Sequence, residues 1–292
     1  RQTEAEIILC LDADTIFHPD AIGNLVRHFH NPKVGAVAGN VKIGNRINLL
    51  TIWQTIEYIT SQNLDRRAFD LLNCITVVPG AIGAWRRDIV NEIGGFPTNT
   101  LAEDADLTIS VLKRGYIINN EPDAIALTEA PDNFKGFIKQ RFRWVFGTLQ
   151  VTWKHRNIMF KRKYGTLGMF ALPNIFIFQT IYPFVSPIMD LTMAISLIQV
   201  LINKAQHPLD YSTDNLKHIL FYYAIFISFD FFTSALAFML EKKENWRLLG
   251  WVFVQRFVYR QIMYYIGMKA VLTAIRGGLV GWGKLERKGF EH

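Results

Sequence analysis

Along the first half of the chain, short apolar runs alternate with segments in which apolar residues recur every three or four positions. Ala5 to Leu11 (AEIILCL) is apolar and bounded by polar residues, which predicts a buried strand ended by Asp12-Ala13-Asp14. Pro19 and Asp20 open an amphipathic helix to about His30, because Pro suits a first helical turn and Ile22, Leu25, Val26 and Phe29 share one face. A strand follows at Val34 to Ala38, a longer helix at Leu49 to Leu71 and a strand at Ile75 to Val78. A helix from Glu103 to Arg114 is stopped by Gly115. This alternation predicts an α/β architecture.

From Gly165 onward the pattern changes to long apolar runs between short basic clusters. Residues 173 to 202 contain one charged residue that matters to a bilayer, Asp190, before Lys204, and the run exceeds the roughly twenty residues that a crossing needs. A second, aromatic-rich run from Ile219 to Leu240 is broken only by Asp230. Leu248 to Ile275 is apolar but carries Arg256, Arg260 and Lys269, so it reads as either a crossing or an interfacial helix. The boundary falls between residues 1–157, a catalytic domain, and 158–292, a membrane region ending in a tail.

Composition agrees with that division. Hydrophobic residues make up 50% of the chain, high for a soluble domain and ordinary for a soluble domain joined to membrane helices. The formal charge of +7 raises nucleic acid as a ligand, but the basic residues concentrate in 154–163, 242–247 and 276–288, beside the apolar runs. That is the positive-inside distribution, and no nucleic-acid module accompanies it, so no nucleic-acid partner is expected. Lys154 to Lys163 reads as a segment seated on anionic lipid. Cys10 and Cys74 lie in apolar stretches without metal-ligand spacing and read as reduced core residues. The chain opens at Arg1 in what reads as the middle of a domain, so a preceding segment is expected.

Three clusters carry candidate chemistry. Asp12 and Asp14 sit at the carboxyl end of the first strand, the edge at which α/β sheets bind ligands, and two such carboxylates suit Mg²⁺ or Mn²⁺ bridging a diphosphate. Taken alone, the pair also suits a turn or cap. Glu103 and Asp104 open a helix, where acidic residues cap; Asp104 equally suits a general base that takes the proton from an attacking hydroxyl. In Gln140-Arg141-Phe142-Arg143-Trp144, residues 140, 143 and 144 share a helix face and join an amide, a guanidinium and an indole. Arg143 can grip a diphosphate and Trp144 offers a flat surface to a sugar ring, against the rival reading of an aromatic and basic interfacial helix.

The ordered set Asp12-Ala13-Asp14, Ala102-Glu103-Asp104 and Gln140 to Trp144 resembles the D-x-D, [TA]-E-D and Q-x-x-R-W series of processive family-2 glycosyltransferases, which include cellulose, chitin, hyaluronan and poly-N-acetylglucosamine synthases. The resemblance extends over essentially the whole chain. It implies a GT-A type glycosyltransferase domain of the α/β class, with its amino-terminal half missing here, followed by an α-helical transmembrane region. It further implies Asp104 as the catalytic base, Asp12, Asp14 and Arg143 on the metal and donor diphosphate, and Glu103, Gln140, Trp144 and Gly80 at the acceptor. Gly80 to Arg86 (GAIGAWR) is similar to the family's acceptor-site segment, although a glycine-rich loop between strand and helix would read alike. Trp282-Gly283-Lys284 is similar to the gating segment of hyaluronan and chitin synthases, with Trp282 and Lys284 closing over the nucleotide from a cytoplasmic tail.

Local wording in residues 76–85 (TVVPGAIGAW) and 255–265 most resembles bacterial poly-β-1,6-N-acetylglucosamine synthases. The expected function is therefore processive inverting transfer of N-acetylglucosamine from UDP-GlcNAc to a growing polysaccharide that is exported. The expected cofactor is Mg²⁺ or Mn²⁺. The expected partners are the UDP-sugar donor, the polysaccharide acceptor, the lipid bilayer and a small membrane accessory subunit. The expected location is the inner membrane, multi-pass, with the catalytic domain cytoplasmic. Two rivals stand beside this: a non-processive transferase acting on a lipid phosphate carrier, and an inactive export subunit. The Gln140 to Trp144 platform argues against the first, and the intact Asp12, Asp14 and Asp104 against the second.

Overall fold

The computed structural model describes residues 4–206, 214–242 and 244–277. Five strands form one mixed sheet in the order β1-β4-β3-β5-β2. The strands are β1 (Ile7–Leu11), β2 (Ile16–Phe17), β3 (Val34–Ile43), β4 (Ile82–Arg86) and β5 (Ile117–Thr128). Central β3 is buried at every position, which its small and apolar sequence permits on both faces. It runs parallel to β5 from Val34 opposite Ile117 to Ile43 opposite Thr128, and antiparallel to β4. β1 pairs antiparallel with β4, and this delivers Asp12 to one end of the sheet.

Helices α1 (Ala21–Val26), α2 (Leu49–Glu57), α3 (Leu64–Leu71), α4 (Arg87–Ile93), α5 (Glu103–Lys113) and α6 (Phe134–Lys154) complete the first part of the chain. Asn48 starts α2 with a capping box, its side chain accepting from the Thr51 amide while the Thr51 hydroxyl accepts from the Asn48 amide. The helix expected over Leu49 to Leu71 is continuous except for a π-helical turn at Tyr58–Asn63, which rotates Tyr58 and Gln62 toward a cavity.

One predicted strand is corrected. Ile75 to Val78 is buried in the core with Cys74 but pairs with no strand, and the Val78 amide donates to the Thr108 hydroxyl at 3.0 Å instead. The strand forms at Ile82–Arg86, inside the segment likened to the family's acceptor-site segment and alternatively read as a glycine-rich loop. Pro79 lies between the two, and the chain turns there, with the Ile82 amide donating to the Pro79 carbonyl. An apolar run fixes burial; the turn decides which run joins the ladder. Cys10 and Cys74 are both free, and burial pushes each thiol up to about 11, so both stay protonated as expected.

The second part is helical: α7 (Leu172–Phe176), α8 (Tyr182–Gln206), α9 (Asp214–Leu240) and α10 (Val252–Ile275). Two helical stretches, Leu167–Gln206 with 40 residues and Lys217–Leu240 with 24, are long and apolar enough to cross a membrane, and their apolar side chains are mostly exposed. α10 packs along α6 and against α8, turning Gln255, Arg256 and Tyr259 inward and Phe253, Phe257 and Leu272 outward. Of its charged residues, Arg256 and Arg260 both meet Asp230 of α9, and the Lys269 ammonium lies 5.4 Å from the centre of the Phe142 ring. Trp282 and Lys284 lie outside the described residues.

The segment after α9 is tied to the sheet. Glu241, buried, sits 3.1 Å from the Lys42 ammonium and 3.2 Å from the Arg67 guanidinium, and accepts from the Asn40 amide. Glu244 pairs with Lys42 and Arg46, each at 3.0 Å. The end of the second apolar helix is thereby held against β3 and α3.

Candidate active site

A cavity of about 760 Å³ opens beyond the end of β1. Asp12, Gly80, Glu103, Asp104, Gln140, Arg143 and Trp144 all line it, so residues spread over 130 positions of sequence meet at one place. Asp14 does not line the cavity; its carboxylate is half-buried in the turn after β1.

Asp104 occupies the first turn of α5. Its Oδ1 accepts from the Ala105 amide at 2.8 Å and its Oδ2 from the Gly80 amide at 3.4 Å. Gly80 also lies beside Asp12: a Cβ added to it would stand 4.0 Å from Asp12 Oδ1. Gly80 is thus the joint between the two carboxylates, and its missing side chain keeps the space open. Burial raises the Asp104 carboxyl above its ordinary range, the Ala105 and Gly80 amides oppose that, and the Asp12 charge adds to it. Glu103 is raised likewise, mainly by burial, with Asp104 adding and Arg143 opposing.

Two features lock the start of α5 onto α6. Gly147 of α6 has no side chain where a Cβ would come within 2.9 Å of both Ala102 Cβ and the Ala102 amide nitrogen. Three residues on, the Gln150 side chain accepts from the Leu101 amide at 3.0 Å. The fully buried Asp106 closes the contact from the other side, accepting from His155 at 2.8 Å, Lys154 at 2.6 Å and the Thr100 hydroxyl at 3.1 Å. Burial alone would raise Asp106, and these donors outweigh it, holding the carboxyl below its usual value. None of this was predicted; an acidic residue one turn into a helix reads as an exposed charge until its partners Lys154 and His155, some fifty residues away, are known.

The Gln140 to Trp144 segment gives three of its side chains to the cavity as expected and a fourth that was not singled out. Arg141 is fully buried, its guanidinium 2.6 Å from Glu57 and 4.2 Å from the centre of the Trp144 ring. Arg66 of α3 also lines the cavity, donates to the Gly39 carbonyl at 3.1 Å, and is pulled down to about 10 by burial. On the far wall, Asn174, Phe178, Gln179 and Met263 extend the cavity to the start of the long apolar helix and to α10.

Among the described residues, no three acidic, histidine or cysteine side chains stand close enough to enclose a cation by themselves. The oxygen-only donor set of Asp12 with Glu103 and Asp104 nearby fits a hard divalent ion that takes its remaining ligands from phosphates and water, as Mg²⁺ does.

Comparison with known proteins agrees with this geometry. Residues 7–239 match the family model described as Glycosyl transferase family group 2. A poly-beta-1,6-N-acetyl-D-glucosamine synthase of Staphylococcus aureus (strain COL) is 34% identical over 152 residues, 52% of this chain and 37% of that protein, so the match spans well under half of that relative. The enzyme of the same name from Staphylococcus epidermidis is 26% identical over 299 residues, covering 98% of this chain and 69% of the relative. In fold, the chain is similar to a mannosyltransferase, PcManGT, from Pyrobaculum calidifontis, solved with GDP-Man and Mn²⁺, at a TM-score of 0.57 and 17% identity over 92% of this chain and 62% of that one. With a GT-A-like sheet, carboxylates gathered at its edge and a family match over most of its length, the chain belongs to the family 2 glycosyltransferases.

Proposed function

We propose that the chain is the catalytic and membrane-embedded part of a processive, inverting β-glycosyltransferase that extends a polysaccharide with N-acetylglucosamine from UDP-GlcNAc. The observation that carries this reading is the continuity of one cavity from Asp12 and Asp104, past Trp144, to Phe178 and Gln179 within the first apolar span and to Met263 on α10 beside it. A transferase that adds one sugar has no need of such a path, whereas a polymer must leave from where it is made. The relatives named as poly-N-acetylglucosamine synthases support the choice of sugar.

In this reading Asp104 accepts the proton of the acceptor hydroxyl as that oxygen bonds to the anomeric carbon, and the bond from that carbon to the donor phosphate breaks in the same displacement. One displacement inverts the configuration. The raised pKa of Asp104 makes its carboxylate a better base than an ordinary aspartate, provided the pH keeps it ionised. Arg143 offers its planar fork to the leaving diphosphate, and Trp144 packs against the acceptor sugar. A divalent cation held by Asp12, with Asp14 behind it, would supply charge neutralisation to the diphosphate. Leu167–Gln206 and Lys217–Leu240 cross the bilayer with the catalytic domain on the cytoplasmic side.

The test uses the full-length parent in membrane vesicles with Mg²⁺ or Mn²⁺, offered radiolabelled UDP-GlcNAc and UDP-glucose separately. High-molecular-weight label from UDP-GlcNAc is the expected result. Label confined to a lipid extract would replace the polymerase with a carrier-lipid transferase, and polymer from UDP-glucose alone would correct the sugar.

A further inference from the structure

The Arg141 side chain is 1% exposed, yet the cavity wall runs directly over it. Its guanidinium lies 4.2 Å from the centroid of Trp144, 5.4 Å from that of Phe137 and 5.7 Å from that of Tyr58. One oxygen of Glu57 accepts from the Arg141 guanidinium at 2.6 Å and also from the Tyr259 hydroxyl of α10. Tyr259 packs in turn on Phe137 at 5.1 Å and on Trp53 at 6.1 Å, so the arginine is enclosed by aromatic rings, a single carboxylate and the Gln140 side chain, whose Oε1 accepts from it at 3.4 Å.

Stability alone does not account for this arrangement. A buried ion pair loses most of its attraction to desolvation, and apolar residues of the same volume would hold the helices together as well. What the pair does fix is geometry. A guanidinium over an indole is attracted to the ring face, more strongly where water is excluded, so it holds the plane of Trp144 and covers one of its two faces. The π-helical turn that begins at Tyr58, directly after Glu57, brings a second ring to 6.4 Å from Trp144 and limits its tilt.

We infer that Arg141, clamped by Glu57 and by Tyr259 of α10, is a positioning residue that sets the plane of Trp144 and leaves one indole face for the acceptor sugar. The inference rests on the polymerase reading above. It also joins the acceptor platform to the helix that carries Met263, one turn beyond Tyr259, on the wall of the same cavity. A shift of α10 as product moves is then felt at the indole through one carboxylate oxygen.

The experiment uses the full-length parent in lipid nanodiscs, supplied with N-acetylglucosamine oligosaccharides as acceptor and UDP-GlcNAc as donor, each varied in turn. Arg141→Gln, Arg141→Lys and Tyr259→Phe are compared with the wild type for acceptor KM, donor KM, product length and Tm. The expected result for the two arginine variants is an acceptor KM raised by about tenfold, equivalent to roughly 1.4 kcal/mol, with donor KM within about twofold. Tyr259→Phe keeps the ring packing and removes only the hydroxyl; it is expected to raise acceptor KM severalfold and shorten the product at unchanged Tm. Should the arginine variants fail to fold, Tyr259→Phe decides alone. An unchanged acceptor KM in folded variants overturns the inference, and so does a parallel rise in both KM values. Wild-type protein that transfers sugar but never elongates a supplied oligosaccharide would overturn the polymerase reading, and the inference with it.

Discussion

In the proposed mechanism, Asp104 is the residue on which the chemistry turns. Two backbone amides fix its carboxylate, and burial with the neighbouring Asp12 charge raises its pKa. Asp104→Asn keeps the shape and, through its one acceptor oxygen, the contact to the Ala105 amide, while giving up the contact to the Gly80 amide and the basic oxygen; turnover is expected to fall by at least about a hundredfold, in line with loss of a general base. Donor affinity, measured by calorimetry with UDP-GlcNAc, should change little. The sign for stability follows from the same shift: a carboxyl raised on folding opposes the fold once ionised, which offsets the loss of the Gly80 contact, so the Asn variant should keep a Tm near that of the wild type at neutral pH. As the proposed base, Asp104 has to be in its carboxylate form. Turnover is full above the raised pKa and lost as pH falls through it, so the acid limb of kcat/KM should lie above the ordinary aspartate value of about 3.9. A limb at or below that value would remove Asp104 from the role of base.

At the scale of elements, the site depends on how closely α6 lies on the start of α5. Gly147 permits that approach, and a methyl there meets both side chain and backbone of Ala102 within 2.9 Å. Gly147→Ala should therefore cost about 1–3 kcal/mol, as overpacking does, and displace Glu103 and Asp104 from the cavity wall. The readouts are a lowered Tm and a turnover loss larger than the small change in side-chain volume would suggest. Wild-type turnover in this variant would mean that α5 and α6 can separate without consequence. The predicted strand at Ile75 to Val78 belongs to this scale as well. Its burial was legible in the sequence, while its failure to pair was decided by the turn at Pro79 and the hydroxyl of Thr108.

Over the whole molecule, the catalytic part and the helical part are joined through charges rather than through apolar surface alone. Glu241 and Glu244 follow the second apolar span and meet Lys42, Arg46 and Arg67 with little exposure to solvent. Glu241→Ala removes the partner of Arg67 and one of the two carboxylates that meet Lys42, which keeps Glu244, so the tie between the two parts is weakened. Limited proteolysis should then cut in the segment after α9 at protease concentrations that leave the wild type intact. Because the pairs are buried, added salt should not reproduce the effect. Cleavage no faster than in the wild type would mean that other contacts hold the two parts together.

Local pattern was enough for much of this. Apolar periodicity gave β1, β3, the first helices and both long apolar spans, since burial and helix length are written into neighbouring residues. Three short motifs marked Asp12, Glu103, Asp104, Gln140, Arg143 and Trp144, and all six line one cavity. The sequence was silent on partners that lie far apart along the chain. Glu57 with Arg141 and Tyr259, Asp106 with His155, and Lys42 with Glu241 are pairs whose members are separated by some fifty to two hundred residues. A charge in sequence looks the same whether it faces solvent or another charge. Only the folded sheet, the π-helical turn at Tyr58–Asn63 and the close approach at Gly147 determine which of these charges are buried and what they hold in place.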